Sequence, residues 1–79
     1  MTESTFEQHW SRKAQSRGWL SVKNIQMSLN GWPDRMYMKD RMMFFVEFKS
    51  KKGKLSELQK YRINQIRSFN FHVLIIYES

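Results

Sequence analysis

Phe6, Trp10 and Ala14 recur every four residues, so residues 3–17 predict a helix with one apolar stripe. Thr2 or Ser4 supplies its N-cap, Ser4 with Glu7 matches a capping box, and Gly18 is placed to end it. Residues 19–23 follow as a short strand with Leu20 and Val22 on one face. Residues 24–30 read as a loop whose Met27 and Leu29 pack on the core or on a partner. Pro33 fixes its own φ and cannot donate to a ladder, so Asp34 opens the second strand. Residues 42–48 form the third, whose Met42-Met43-Phe44-Phe45-Val46 run predicts burial on both faces.

Polar residues 50–54 then make a basic turn. Ser56-Glu57-Leu58-Gln59 is a second capping-box pattern and starts a second helix, with Gln59 in register with Ile63 and Ile66 on the inward stripe. An inward glutamine needs a partner, which is either the helix cap, a strand carbonyl or a functional group. The apolar run at residues 71–77 predicts a fully buried strand, parallel to the third because a helix crosses between them. The whole is an α/β chain in the order α-β-β-β-α-β, with a mixed four-stranded sheet flanked by helices.

At 79 residues the chain is a single domain, 1–79, near the lower limit for folding alone, and association would help it. The absence of cysteine removes disulfides and thiolate metal sites. No apolar run reaches membrane-spanning length and no signal-peptide pattern opens the chain, which leads us to expect a cytoplasmic protein. Fourteen Lys and Arg against seven Asp and Glu give a net charge of +7, the electrostatic footprint of a polyanion-binding protein, with nucleic acid the leading partner. His9 and His72 have no metal-ligand partner at short spacing, and neither a Ser-His-acid set nor a phosphate-binding glycine loop is visible.

The chemistry concentrates between Gly31 and Lys49. If residues 39–41 make the reversal, antiparallel partners sum to about 81 and Asp34 lies opposite Glu47 on one face. Lys49, two residues on, points the same way. Glu-x-Lys on an exposed strand is usually a solvated ion pair. Here it closes a buried run, where charged groups are costly unless paired or metal-bound, and that favours a site.

Gly31-Trp32-Pro33-Asp34-Arg35, Phe45-Val46-Glu47-Phe48-Lys49, Gly53-Lys54-Leu55-Ser56 and Gln59, with a Glu on the first helix, resemble the virus-type replication-repair nuclease (VRR-NUC) domain. The resemblance covers essentially the whole chain. It implies a restriction-endonuclease-like core of the PD-(D/E)xK superfamily, and a stand-alone phage type similar to Holliday-junction resolvases in fold and homodimeric form. By the same resemblance Asp34 and Glu47 are metal-binding acids, the Phe48 carbonyl is a further ligand, Lys49 is the catalytic lysine and Gln59 the motif glutamine. Glu3 is the best match for the helix-one acid, since Phe6 follows it by three residues, with Glu7 the other candidate. Asn70 stands near a position where glycine is common, and asparagine tolerates the left-handed backbone needed there. Hard oxygen ligands suit Mg²⁺ or Mn²⁺. Lys51, Lys52, Lys54 and Arg35 are expected to contact DNA, branched or junction DNA in particular. The alternative is a nucleic-acid-binding protein without catalysis, in which Asp34 and Glu47 are structural.

Overall fold

The structure, a computed structural model, describes residues 3–25 and 27–78, with side chains from Thr5 onward. Its elements are α1 (Glu3–Ser16), β1 (Leu20–Lys23), β2 (Arg35–Lys39), β3 (Met42–Lys49), α2 (Glu57–Ser68) and β4 (His72–Tyr77). The strands form one sheet in the order β1-β2-β3-β4, antiparallel except for the parallel β3–β4 pair. The predicted order and mixed sheet are therefore present.

The β2–β3 hairpin turns on Asp40 and Arg41 alone, both with positive φ (47° and 67°), and pairs Arg35 with Val46 and Lys39 with Met42. Two consecutive left-handed residues are what a two-residue hairpin loop needs to match the strand twist. This is the register expected from a reversal at residues 39–41.

Both helices close on a left-handed residue. Gly18 (φ 92°) receives α1, with Trp19 N donating to Ala14 O at 3.2 Å. Asn70 (φ 68°) does the same for α2, donating to Arg67 O at 2.9 Å, so asparagine fills the place where glycine is common. At its other end α1 begins at Glu3, one residue before Ser4, so Ser4 lies inside the helix and is not its cap. Thr2 lies outside the described residues.

Strand alternation divides the core in two. On one face Tyr37, Val46 and Phe48 are buried against Phe6, Trp10 and Ala14, the α1 stripe, with Trp19, Phe44 and Ile76 beside them. Phe6 and Trp10 meet the Phe48 ring edge-on at 5.7 and 5.5 Å between centroids. On the other face Phe45, Val73, Ile63 and Ile66 cluster under α2 with Trp32, Met36, Met43, Leu55 and Ile75. Each fully buried aromatic or aliphatic side chain contributes roughly 1.5–3 kcal/mol, and Phe48, fully buried, thereby anchors the end of β3.

The expectation of a fully buried last strand does not hold. β4 is an edge strand in which Val73 alone is buried, while Leu74 and Tyr77 are about half exposed. A continuous apolar run reports hydrophobicity but not how many neighbours the strand acquires. Residues Phe69 and Phe71, at the α2–β4 connection, are exposed as well.

Candidate active site

Gly31 comes first in the local construction. Its φ is 80°, and a Cβ there would lie 2.9 Å from the Leu58 carbonyl oxygen. Only glycine permits both the backbone and this approach of α2's first turn. Leu58 is followed by Gln59 and Gly31 by Trp32-Pro33-Asp34, so the contact brings the start of β2 and the start of α2 together.

Asp34 immediately precedes β2, and continuing the hairpin register by one residue sets it alongside Glu47. Its carbonyl accepts from Asn24 N at 2.8 Å, which ties it to the end of β1. Its side-chain Oδ2 accepts from Phe48 N at 2.8 Å. In the continued register Pro33 lies opposite Phe48, outside the paired residues of β2, and the Asp34 carboxylate accepts from the Phe48 N–H in place of a strand carbonyl. The Lys49 carbonyl accepts from Glu78 N beyond β4. Alternation along β3 therefore turns the Phe48 carbonyl the other way, to the β2 side of the strand.

Glu47 is 2% exposed, an acid inside the sheet end. Gln59 Nε2 donates to its Oε2 at 3.1 Å, and Lys49 Nζ lies 3.8 Å from the same oxygen. Gln59 also accepts, through Oε1, from Ser56 N at 2.9 Å, while Ser56 Oγ accepts from Gln59 N at 3.1 Å. Two of the three roles weighed for the inward glutamine, cap and site, are thus held by one carboxamide. Gly53 backs onto Lys49, since a Cβ there would stand 3.4 Å from Lys49 Cδ and 3.0 Å from Ser50 Oγ. Lys51, Lys52 and Lys54 are all exposed on this connection.

Asp34, Glu47, the Phe48 backbone, Lys49 and Gln59 are accordingly brought together at one end of the sheet, on the α2 face. Among the described residues no three His, Cys, Asp or Glu side chains are grouped so as to hold a metal ion. The oxygen set available to one is the Asp34 and Glu47 carboxylates and the Phe48 carbonyl, hard donors of the type that Mg²⁺ and Mn²⁺ prefer. The side chain of Glu3 lies outside the described residues.

Glu7 and Arg35 lie on the opposite face. Arg35 Nε donates to Glu7 Oε2 at 2.7 Å, with both side chains about nine-tenths buried, and Arg35 NH1 donates to Ser21 Oγ at 2.9 Å. Ser11 Oγ lies 2.8 Å from Ser21 Oγ and 2.6 Å from the fully buried Tyr37 hydroxyl, which extends the chain of bonds across the α1 face. Arg35 is thus committed to an internal ion pair, not to the exposed phosphate contact expected of it. Glu7 is its partner, separated by the sheet from Glu47. The signal for the side on which Arg35 lies was in the sequence, since period-two alternation sends Arg35 to the face opposite Asp34. Burial shifts the Tyr37 phenol upward from its ordinary value, and its bonds to Ser11 and Ser21 offset part of that.

No described helix is long and apolar enough to cross a membrane. No curated protein and no solved structure gives a significant match to the chain. The family model of the VRR-NUC domain matches residues 4–77, and over nearly its whole length this chain belongs to that nuclease-type family, whose substrate is DNA.

Proposed function

We propose that the chain is a metal-dependent DNA endonuclease of the PD-(D/E)xK group, hydrolysing phosphodiester bonds with Mg²⁺ or Mn²⁺. We place it, as a homodimer, on branched or junction DNA in phage replication, recombination or repair. The observation that supports this reading is the grouping of Asp34, Glu47, the Phe48 backbone and Lys49 at one sheet end, beside three exposed lysines.

Asp34 and Glu47, with the Phe48 carbonyl, would hold the divalent ion, which supplies relief of charge on the scissile phosphate when bound. Phe48 N–H keeps the Asp34 carboxylate turned toward the end of β3. Gln59 holds Glu47 Oε2 in place. Lys49 orients an attacking water and meets the charge that develops on the non-bridging phosphate oxygens, an ammonium in a partly dry site. Lys51, Lys52 and Lys54 bind the phosphate backbone, which positions DNA without reading its sequence. Ile25, Met27 and Leu29 on the loop after β1, and Phe69 beyond α2, are exposed apolar side chains, surface of the kind that a two-fold dimer would cover on both protomers.

Labelled duplex, single-strand, flap and four-way junction DNAs, incubated with Mg²⁺, Mn²⁺ or EDTA, test the reading. Cleavage of branched substrates that needs the metal, and disappears in Asp34→Ala and Glu47→Ala while DNA binding persists, is the expected result. Undiminished cleavage in EDTA overturns it, and binding without cleavage under every condition favours the non-catalytic alternative. Sedimentation equilibrium at micromolar protein decides the dimer.

A further inference from the structure

A helix that starts with a Ser-x-x-Glu/Gln box usually needs its third residue only as an acceptor for the N-cap N–H, and glutamate serves that purpose as well as glutamine. Position 59 carries the amide. Gln59 Oε1 accepts from Ser56 N at 2.9 Å, so the amide orientation is fixed and Nε2 must face away from the cap. There it donates to Glu47 Oε2 at 3.1 Å. A glutamate at 59 would close the cap but offer Glu47 a second acceptor. The bonding pattern therefore requires a side chain that accepts at one end and donates at the other.

We propose that Ser56 is a positioning residue for Glu47: its backbone N–H, acting through the Gln59 carboxamide, aims the Glu47 carboxylate. This rests on reading Glu47 as a metal-binding acid. The connection carrying Ser56 also packs Gly53 against Lys49 and displays Lys51, Lys52 and Lys54. The segment that meets DNA thus sets the acid through one hydrogen-bonded relay.

Ser56 has φ −70° and ψ 163°, a conformation that proline adopts without strain. Ser56→Pro removes both the Oγ cap and the N–H, whereas Ser56→Ala removes the Oγ and keeps the N–H. Their difference isolates the relay. In the full chain, Mn²⁺ titration followed by electron paramagnetic resonance should give Ser56→Ala an affinity within about twofold of the parent. Ser56→Pro should bind about tenfold more weakly or worse, the size of effect expected when a partner of a metal ligand is lost. Its kcat should fall with little change in KM for DNA. The double variant Ser56→Pro, Gln59→Met should be no weaker than Gln59→Met alone, because one acts through the other.

Equal affinities in Ser56→Ala and Ser56→Pro overturn the proposal. Should Ser56→Pro fail to fold, Gln59→Met decides: weaker Mn²⁺ binding with faster exchange of the Ser56 amide proton supports the relay, and unchanged exchange overturns it. A parent protein that takes up no Mn²⁺ refutes the metal-site reading and the positioning proposal with it, an outcome distinct from Pro and Ala variants that bind alike.

Discussion

Among the described residues the two faces of the sheet each bury one glutamate, and they treat it differently. On the α1 face Glu7 is met at 2.7 Å by a guanidinium that also bonds Ser21, and the Ser11 and Tyr37 hydroxyls carry the network on. On the α2 face Glu47 has a lysine at 3.8 Å and a neutral amide at 3.1 Å, next to the Asp34 carboxylate across the hairpin. A short pair with a delocalised, always-charged partner offsets the desolvation of an acid as far as geometry allows. The Lys49 ammonium stands farther from its acid than the Arg35 guanidinium does, 3.8 Å against 2.7 Å, and the looser of the two contacts is the one at the proposed metal site.

The same substitution on each face breaks or sharpens that contrast. Glu47→Gln keeps shape and removes charge. Cleavage should fall by about a hundredfold or more. The unfolding free energy should stay level or rise, because a costly buried charge is gone. Glu7→Gln should do the reverse, leaving Arg35 buried without its counter-charge and lowering stability by about 3 kcal/mol, with cleavage nearly unchanged. Urea unfolding beside a cleavage assay reads both. If Glu7→Gln costs less than about 0.5 kcal/mol, the α1 pair is solvated and the contrast fails.

How much of this was legible beforehand depends on whether a residue's neighbours are set by local pattern. Asp34, Glu47 and Lys49 share a face because of strand period and one short turn, both readable from residues 31–49. Gln59 was readable as an inward polar residue needing a partner. Arg35 was misjudged because its charge was weighed and its alternation was not. Ser11, Ser21 and Tyr37 gave no signal of a network, since a hydroxyl is unremarkable until helix and strand are docked. The edge position of β4 depends on strand order, which a continuous apolar run does not encode.

On the α2 face, replacing Lys51, Lys52 and Lys54 together with Gln tests the proposed DNA path. Each phosphate contact contributes about −0.9 to the slope of log affinity against log salt, so three lost contacts should flatten it by about 2 to 3. Arg35→Gln should leave the slope unaltered, because its guanidinium is internal. A slope indifferent to the three lysines would move the DNA to another surface.

The smallest effect belongs to Tyr37, and it probes how dry the α1 network is. Its hydroxyl is buried against Ser11, and burial raises its pKa above the ordinary value of 10.0. The folded state thus disfavours the phenolate more than the unfolded chain does. The sign follows: the contribution is fully present below about pH 10, and is lost as pH rises through the folded-state pKa, because the unfolded chain ionises first. Urea unfolding at pH 9 and pH 11 should show a smaller alkaline loss in Tyr37→Phe than in the parent. At neutral pH the variant should be less stable by about 1 kcal/mol, the ordinary worth of one hydrogen bond. Equal alkaline losses in Tyr37→Phe and the parent would mean that water reaches the hydroxyl, and that the α1 face is not the closed network drawn above.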